Sequence, residues 1–544
     1  MACSRREATD EENQIPKTLS RGAEDSRDDR PLVKEQLALL PGYLTAHLQL
    51  ALFALLAGTA VSIPAGIAIT RSRRLERPVL AVASVIQTVP SLALLAVMVP
   101  ALSALGLRSI GFLPAFIGLT LYSVLPVLRN TVTGLVGLDP ALKEAARGVG
   151  MTATQQLWRV ELPLALPVIL AGLRTSTVWT VGMATLSTPV GAPSLGNYIF
   201  AGLQTRNLTA VLVGCVAAAV LALVLDGLVR ALGAAVLARR KRSLVAVGAV
   251  LGLLYAHAAL AFVAAAADRG PARIVIGAKT FTEQYILGQI LSKTVAGATG
   301  SAVDVLSSLG STVAFDALRG GDIDAYVDYS GTIWATIMHR DAASADRETV
   351  LTEVGRYLKT EHGIELVGAL GFENAYAMAM RRTHAGELRV RTLTDLAPHA
   401  PRLSVGGDYE FFQRPEWRAV RDRYGLQFRE QRSMDPSLMY QAVANGQVDL
   451  ISAFSTDGRI TALDLVLLED ERHAIPPYDA VILAGAQLSR EHPDAIAALR
   501  TLTGAIDADQ MRRMNLAVDR DGQSPESVAE GFLQGQKSKV KGQR

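Results

Sequence analysis

The apolar residues of this chain are segregated: nearly all long uncharged runs fall between residues 43 and 266, while residues 271 to 544 read as an ordinary mixed soluble sequence. Crossing the hydrocarbon core of a bilayer as a helix takes about 20 predominantly apolar residues. Six stretches meet that need, at 43–70, 79–100, 109–128, 164–188, 208–236 and 243–266. Composition agrees, with 50% of the 544 residues hydrophobic and 19% charged, below the roughly 25% charge of soluble chains. A net charge of +3 makes no case for a nucleic-acid partner. The two cysteines, Cys3 and Cys215, offer neither a disulfide framework nor a thiolate metal site, and no cofactor or metal is expected.

Orientation follows from where Lys and Arg collect in short connections. Arg71, Arg73, Arg74 and Arg77 follow the first span, Lys143, Arg147 and Arg159 the third, and Arg239, Arg240, Lys241 and Arg242 the fifth. Alternate loops carry one arginine each, Arg108 and Arg206. Loops after odd-numbered spans are therefore expected in the cytoplasm, and everything after the sixth span outside it. This gives a disordered tail over residues 1–40, a membrane domain over 41–240, a last membrane helix and linker over 241–270, and an outer domain over 271–544. Within the spans, Asp226 and Arg230 stand four apart on one helix face and are read as a structural pair. Prolines 64, 90, 100, 114, 126 and 167 interrupt several helices.

Between the third and fourth spans, residues 140–163 contain Glu144-Ala145-Ala146, then Gly150, then Val160-Glu161-Leu162-Pro163. Small side chains let another surface approach the backbone, and glycine permits a sharp bend, so this cytoplasmic loop is read as a docking element. It resembles the EAA loop of importer-type ABC permeases, with Val160 where isoleucine is usual. The flanking spans, including His47-Leu48-Gln49-Leu50-Ala51 and Ile63-Pro64-Ala65-Gly66, are similar to permeases for glycine betaine, carnitine and choline. The resemblance implies a separate ATPase subunit docked on Glu144, Ala145, Ala146, Gly150 and Pro163, and two copies of the chain around one path. No G-x-x-x-x-G-K-[ST] motif occurs in this chain, which agrees with an ATPase supplied from outside.

From Ile274 onward short apolar runs alternate with amphipathic stretches: strands at 274–277 and 303–306, helices at 283–296 and 311–319. That alternation argues for α/β lobes with mostly parallel sheets, and about 270 residues suit two lobes with a cleft between them. Five stretches carry a resemblance to substrate-binding proteins of the OpuC or ProX type over residues 272–535. They are Thr280-Phe281-Thr282-Glu283-Gln284, Gly310-Ser311-Thr312, the run from Gly321 to Thr332, Asn374-Ala375-Tyr376-Ala377-Met378, and the run from Ala453 to Ile460. The family closes two lobes around a quaternary ammonium zwitterion, and fused chains with the permease first belong to it.

A trimethylammonium group cannot donate a conventional hydrogen bond, so aromatic faces recognise it, each ring contributing roughly 0.5–2 kcal/mol. By position in the family motifs, Tyr329 and Tyr376 would line the cage, with Phe454 a third wall. Gln284, Thr312 and Thr332 would serve the carboxylate, and Ser455, Thr456 and Asp457 would close the site from the second lobe. Tyr440 and Tyr478 are read as packing residues. Residues 330–356 lack the further tyrosine of many relatives, Trp334 being their only aromatic, and Phe454 stands where tyrosine is common. Glycine betaine, choline, carnitine, proline betaine and ergothioneine all suit such a cage.

The expectation is thus an ATP-driven importer subunit, α-helical in the membrane and two-lobed α/β outside, in a bacterial inner membrane. A ligand-sensing receptor or channel is the alternative, against which the docking loop speaks. An enzyme is disfavoured because neither H-E-x-x-H nor G-x-S-x-G is present.

Overall fold

A computed structural model describes residues 30–205, 207–267, 273–340, 346–408 and 410–542. The membrane half holds ten helices: α1 (Arg30–Arg71), α2 (Arg73–Thr88), α3 (Ser91–Ala104), α4 (Phe112–Val136), α5 (Pro140–Gly148), α6 (Ala153–Gln156), α7 (Leu162–Ala184), α8 (Gly196–Gln204), α9 (Leu208–Leu237) and α10 (Lys241–Ala267). Five stretches of these helices are long and apolar enough to cross a bilayer. The second expected span is broken: α2 and α3 meet at 99°, at Val89-Pro90, where proline cannot supply the backbone donor that a continuous helix needs. The tail expected over residues 1–40 lies outside the described residues as far as residue 29, and helix begins at Arg30.

The structure contains the Asp226–Arg230 pair and adds a closer partner from another helix. Asp226 on α9 is gripped chiefly by Arg174 on α7, Nε to Oδ1 at 2.8 Å and Nη2 to Oδ2 at 3.1 Å. Arg230 stands farther away, at 3.7 Å. A planar guanidinium can grip a carboxylate on another helix with both prongs. Buried His47 on α1 fastens the same bundle, its Nε2 donating to the Val181 carbonyl at 3.0 Å and its Nδ1 accepting from the Leu195 amide at 3.3 Å.

The outer half is two five-stranded sheets. The first lobe has the order β2-β1-β3-β10-β4 and the second β7-β6-β8-β5-β9, with β1 (Ile274–Lys279), β2 (Val303–Leu309), β3 (Ala325–Tyr329), β4 (Glu365–Glu373), β5 (Tyr376–Arg381), β6 (Ser404–Gly407), β7 (Glu430–Ser433), β8 (Leu450–Phe454), β9 (Leu465–Leu468) and β10 (Asp479–Ala484). In the first lobe, α11 (Thr282–Thr299) follows β1 and α12 (Ser311–Gly320) follows β2. The sheets are mixed rather than mostly parallel: β10 runs antiparallel to β3 and β4, and β5 to β8 and β9. The chain crosses between lobes twice, from β4 to β5 and from β9 to β10, and each returning strand inserts in reverse. Asp479-Ala-Val-Ile-Leu-Ala484 is buried throughout, as a near-continuous apolar run in a sheet covered on both faces must be.

The two halves touch. Ser109, before α4, donates through its amide and its hydroxyl to Asp322 Oδ2, at 2.8 and 2.9 Å. The Gly310 amide donates to the Pro189 carbonyl at 3.4 Å, beside a shared apolar cluster of Ile110, Val190, Leu309 and Val313. At the other end of the bundle Arg71 meets Glu161 at 3.2 Å. The basic loops and the outer domain therefore occupy opposite ends of the membrane helices.

Candidate functional site

Strand pairing builds the site. In the second lobe β5 and β8 are antiparallel with Tyr376 opposite Phe454, so the two side chains share one face and their ring centroids lie 4.9 Å apart. From the first lobe, Phe281 leaves the carboxyl end of β1 and Tyr329 ends β3. Phe281 stacks on Phe454 at 5.9 Å with 4° between planes, and on Tyr329 at 6.2 Å. Tyr478 stands edge-on to Tyr376 at 6.0 Å. These five rings surround a cavity between the lobes whose polar wall includes Lys279, Ser311, Thr332, Asn374, Asp408 and Arg414.

The structure brings Tyr329, Tyr376, Phe454 and Thr332 together on this wall. It places the other expected residues elsewhere. Gln284, in the first turn of α11, is buried behind Tyr329 and donates through Nε2 to the phenol at 3.0 Å. Thr312 is exposed, and the cavity is met instead by Gly310 and Ser311 at the start of α12. Ser455 tightens the crossing between lobes, accepting from the Ala375 amide at 3.1 Å and donating to the Glu373 carbonyl at 3.3 Å. Thr456 and Asp457 line a small polar recess behind the cage. There Asp457 is held by Arg459, Nη2 to Oδ2 at 2.5 Å.

Several wall residues escape the sequence reading. Phe281 lies within a motif stretch, an aromatic at the end of a strand where sites form. Tyr478, expected only to pack, does pack, donating its hydroxyl to Glu416, and also presents its ring to the cavity. Arg414 precedes a helix over Pro415–Tyr424 and carries no motif. Its guanidinium lies 5.5 Å over the Tyr376 ring and pairs with Glu410, and its buried Nε has no hydrogen-bond partner. Lys279, at the end of β1, is already paired with Asp328. Burial pushes the Asp408 carboxyl above its usual range, against the amides of Phe411 and Glu410 that favour its charge.

At the opposite end of the molecule α5 carries Glu144 and Ala145 exposed and Ala146 buried. Gly150 follows with φ +77°, a left-handed turn that glycine adopts without strain. Thr152 and Gln155 then cap α6 reciprocally. Glu161 is buried and accepts from Gln156 at 2.7 Å, while Pro163 opens α7 exposed. Val149 and Trp158 are 74% and 67% exposed, apolar side chains left uncovered among the described residues.

Residues 272–535 match the family model for the substrate binding domain of the ABC-type glycine betaine transport system. Residues 58–242 match that for the inner membrane component of binding-protein-dependent transport systems. Over 478 residues the chain is 31% identical to the ergothioneine transport permease/ergothioneine binding protein EgtU of Helicobacter pylori, covering 84% of this chain and 83% of that one. It is 42% identical over 180 residues to the glycine betaine/carnitine/choline permease protein OpuCB of Bacillus subtilis, 33% of this chain and 80% of that one. It is 31% identical over 265 residues to the carnitine transport binding protein OpuCC of Listeria monocytogenes, 48% of this chain and 86% of that one.

Proposed function

The chain belongs to the ABC importers that join an inner-membrane permease to a glycine betaine-type substrate-binding domain, and from that premise we propose that it imports quaternary ammonium compounds caught in the five-ring cavity. It is a multi-pass bacterial inner-membrane protein with its binding domain outside the cytoplasm. The observation that carries the ligand class is the ring geometry, with Tyr376 and Phe454 of one lobe facing Phe281 and Tyr329 of the other. Such faces attract a methylated cation that offers no hydrogen bond. The unpartnered Arg414 Nε and the first amides of α12 suit the carboxylate of the same ligand.

Ergothioneine is itself a trimethylammonium zwitterion, and the EgtU relative has the same two-part organisation over most of its length. It therefore belongs in the test panel beside glycine betaine, carnitine and choline. Calorimetry of the full chain in detergent against those four compounds is expected to find at least one that binds saturably at the cavity. If none binds, the reading is wrong.

The energy comes from a separate ATPase subunit seated against α5, Gly150 and the exposed Val149 and Trp158; a channel or receptor would have no use for that surface. Exposed Leu212, Val216, Val220 and Leu223 on α9 suit lipid around a pair of these chains.

A further inference from the structure

Behind the cage, Glu283 is buried where the two lobes meet and accepts four hydrogen bonds. Tyr329 Oη and Asn374 Nδ2 reach Oε1 at 2.5 and 3.0 Å, and Thr456 Oγ1 and Asn515 Nδ2 reach Oε2 at 2.5 and 3.3 Å. The donors come from the first lobe, the crossing segment, the second lobe and the helix Ala508–Asp519. Asn515 Nδ2 also donates to the Thr456 carbonyl at 2.9 Å, so two oxygens fix which way that amide points. The Oδ1 atoms of Asn374 and Asn515 are left buried without partners. Amides that surrender their carbonyls to present donors are the surroundings of an ionised carboxylate, which only accepts.

Among the described residues no cation pairs with Glu283. The neighbouring cations are committed elsewhere: Lys279 to Asp328, Arg459 to Asp457, and Arg414 to Glu410 with Asp408 and Glu416 nearby. Burial pushes the Glu283 carboxyl above its usual range, and its four hydrogen bonds oppose that without reversing it, so a positive charge arriving at the cage relieves the cost of keeping it ionised. We infer that Glu283 is the counter-charge for the quaternary ammonium, held one phenol away from the ligand through Tyr329 and making the cage select a cation over a neutral group of the same shape. The inference rests on the import reading above. Glu283 is a positioning residue here, since Tyr329 and Asn374 stand between it and the cavity.

The test compares glycine betaine with tert-butylacetate, in which carbon replaces the ammonium nitrogen, on the full chain in detergent by calorimetry. E283Q is expected to weaken glycine betaine about tenfold, the order of a unit charge acting across a ring in a medium of intermediate dielectric, and to leave tert-butylacetate within about twofold. Equal losses for both compounds would mean a scaffold residue only, and unchanged betaine affinity would mean no role; either overturns the inference. The double variant E283Q/N374D returns the charge from the crossing segment, where Asn374 Nδ2 donates to Glu283, with the new glutamine amide donating to the new carboxylate. It is expected to keep the preference for the cation even if E283Q alone does not fold. A folded double variant without that preference also overturns the inference. A wild type that ignores every trimethylammonium compound would instead overturn the import reading, and this inference with it.

Discussion

Arg174 and Asp226 hold α7 to α9 through two parallel hydrogen bonds inside the membrane half. Removing Asp226 strands Arg174 without its counter-charge, which costs more than removing both. D226N is therefore expected to lower the melting temperature in detergent and to reduce uptake, and R174Q/D226N to lose less than the sum of the single variants. A double-mutant cycle on melting temperature checks this, and strictly additive losses would show the pair to be idle.

The cage predicts graded effects. Tyr376→Ala and Phe454→Ala each remove one face worth roughly 0.5–2 kcal/mol, or about 2- to 30-fold in Kd. Phe454→Tyr keeps the ring and should bind within about threefold of wild type, because the quadrupole survives. Calorimetry decides, and full affinity in Tyr376→Ala would place the ligand elsewhere.

Arg414 predicts a change in selectivity. R414Q is expected to weaken glycine betaine and carnitine by about 10- to 100-fold, the range of a lost charge-assisted hydrogen bond. Choline has no carboxylate and should be spared. Parallel loss for choline would show that Arg414 shapes the cavity rather than reading the ligand.

Gly150 separates transport from capture. Its φ of +77° costs a β-branched residue about 1–3 kcal/mol, and its exposed position leaves the outer cavity untouched. G150V is expected to abolish uptake in vesicles containing the ATPase while leaving ligand affinity unchanged. Transport at the wild-type rate would remove the loop from the coupling pathway.

Where water or lipid alone dictates a pattern, the sequence was readable. The need for about 20 apolar residues to cross a bilayer marks α1, α4, α9 and α10, and alternating elements announce the two lobes. Proline 90 marks the break in the second span, but the 99° angle arises from packing that no local pattern encodes. Likewise, strand positions are visible, while the antiparallel insertion of β5 and β10 depends on where the chain recrosses. In the site, Tyr329 and Tyr376 stand at strand ends, and they were legible through their place in the family motifs. Gln284 was misplaced because one turn of α11 rotates it under the sheet, 1% exposed, while Phe281 just before the helix faces outward. Arg414 comes from a loop whose relation to Tyr376 exists only once the second lobe has packed.

Six residues separate the end of α10 at Ala267 from the start of β1 at Ile274, and six residues reach no more than on the order of 20 Å. A free receptor must find its permease by diffusion, whereas this one lives at an effective concentration in the millimolar range. Contacts as slight as Ser109 with Asp322 can then seat it, and they can be weak enough to let go after each delivery. Each permease in such an arrangement carries its own receptor, and making more receptor without more permease is not an option open to the cell.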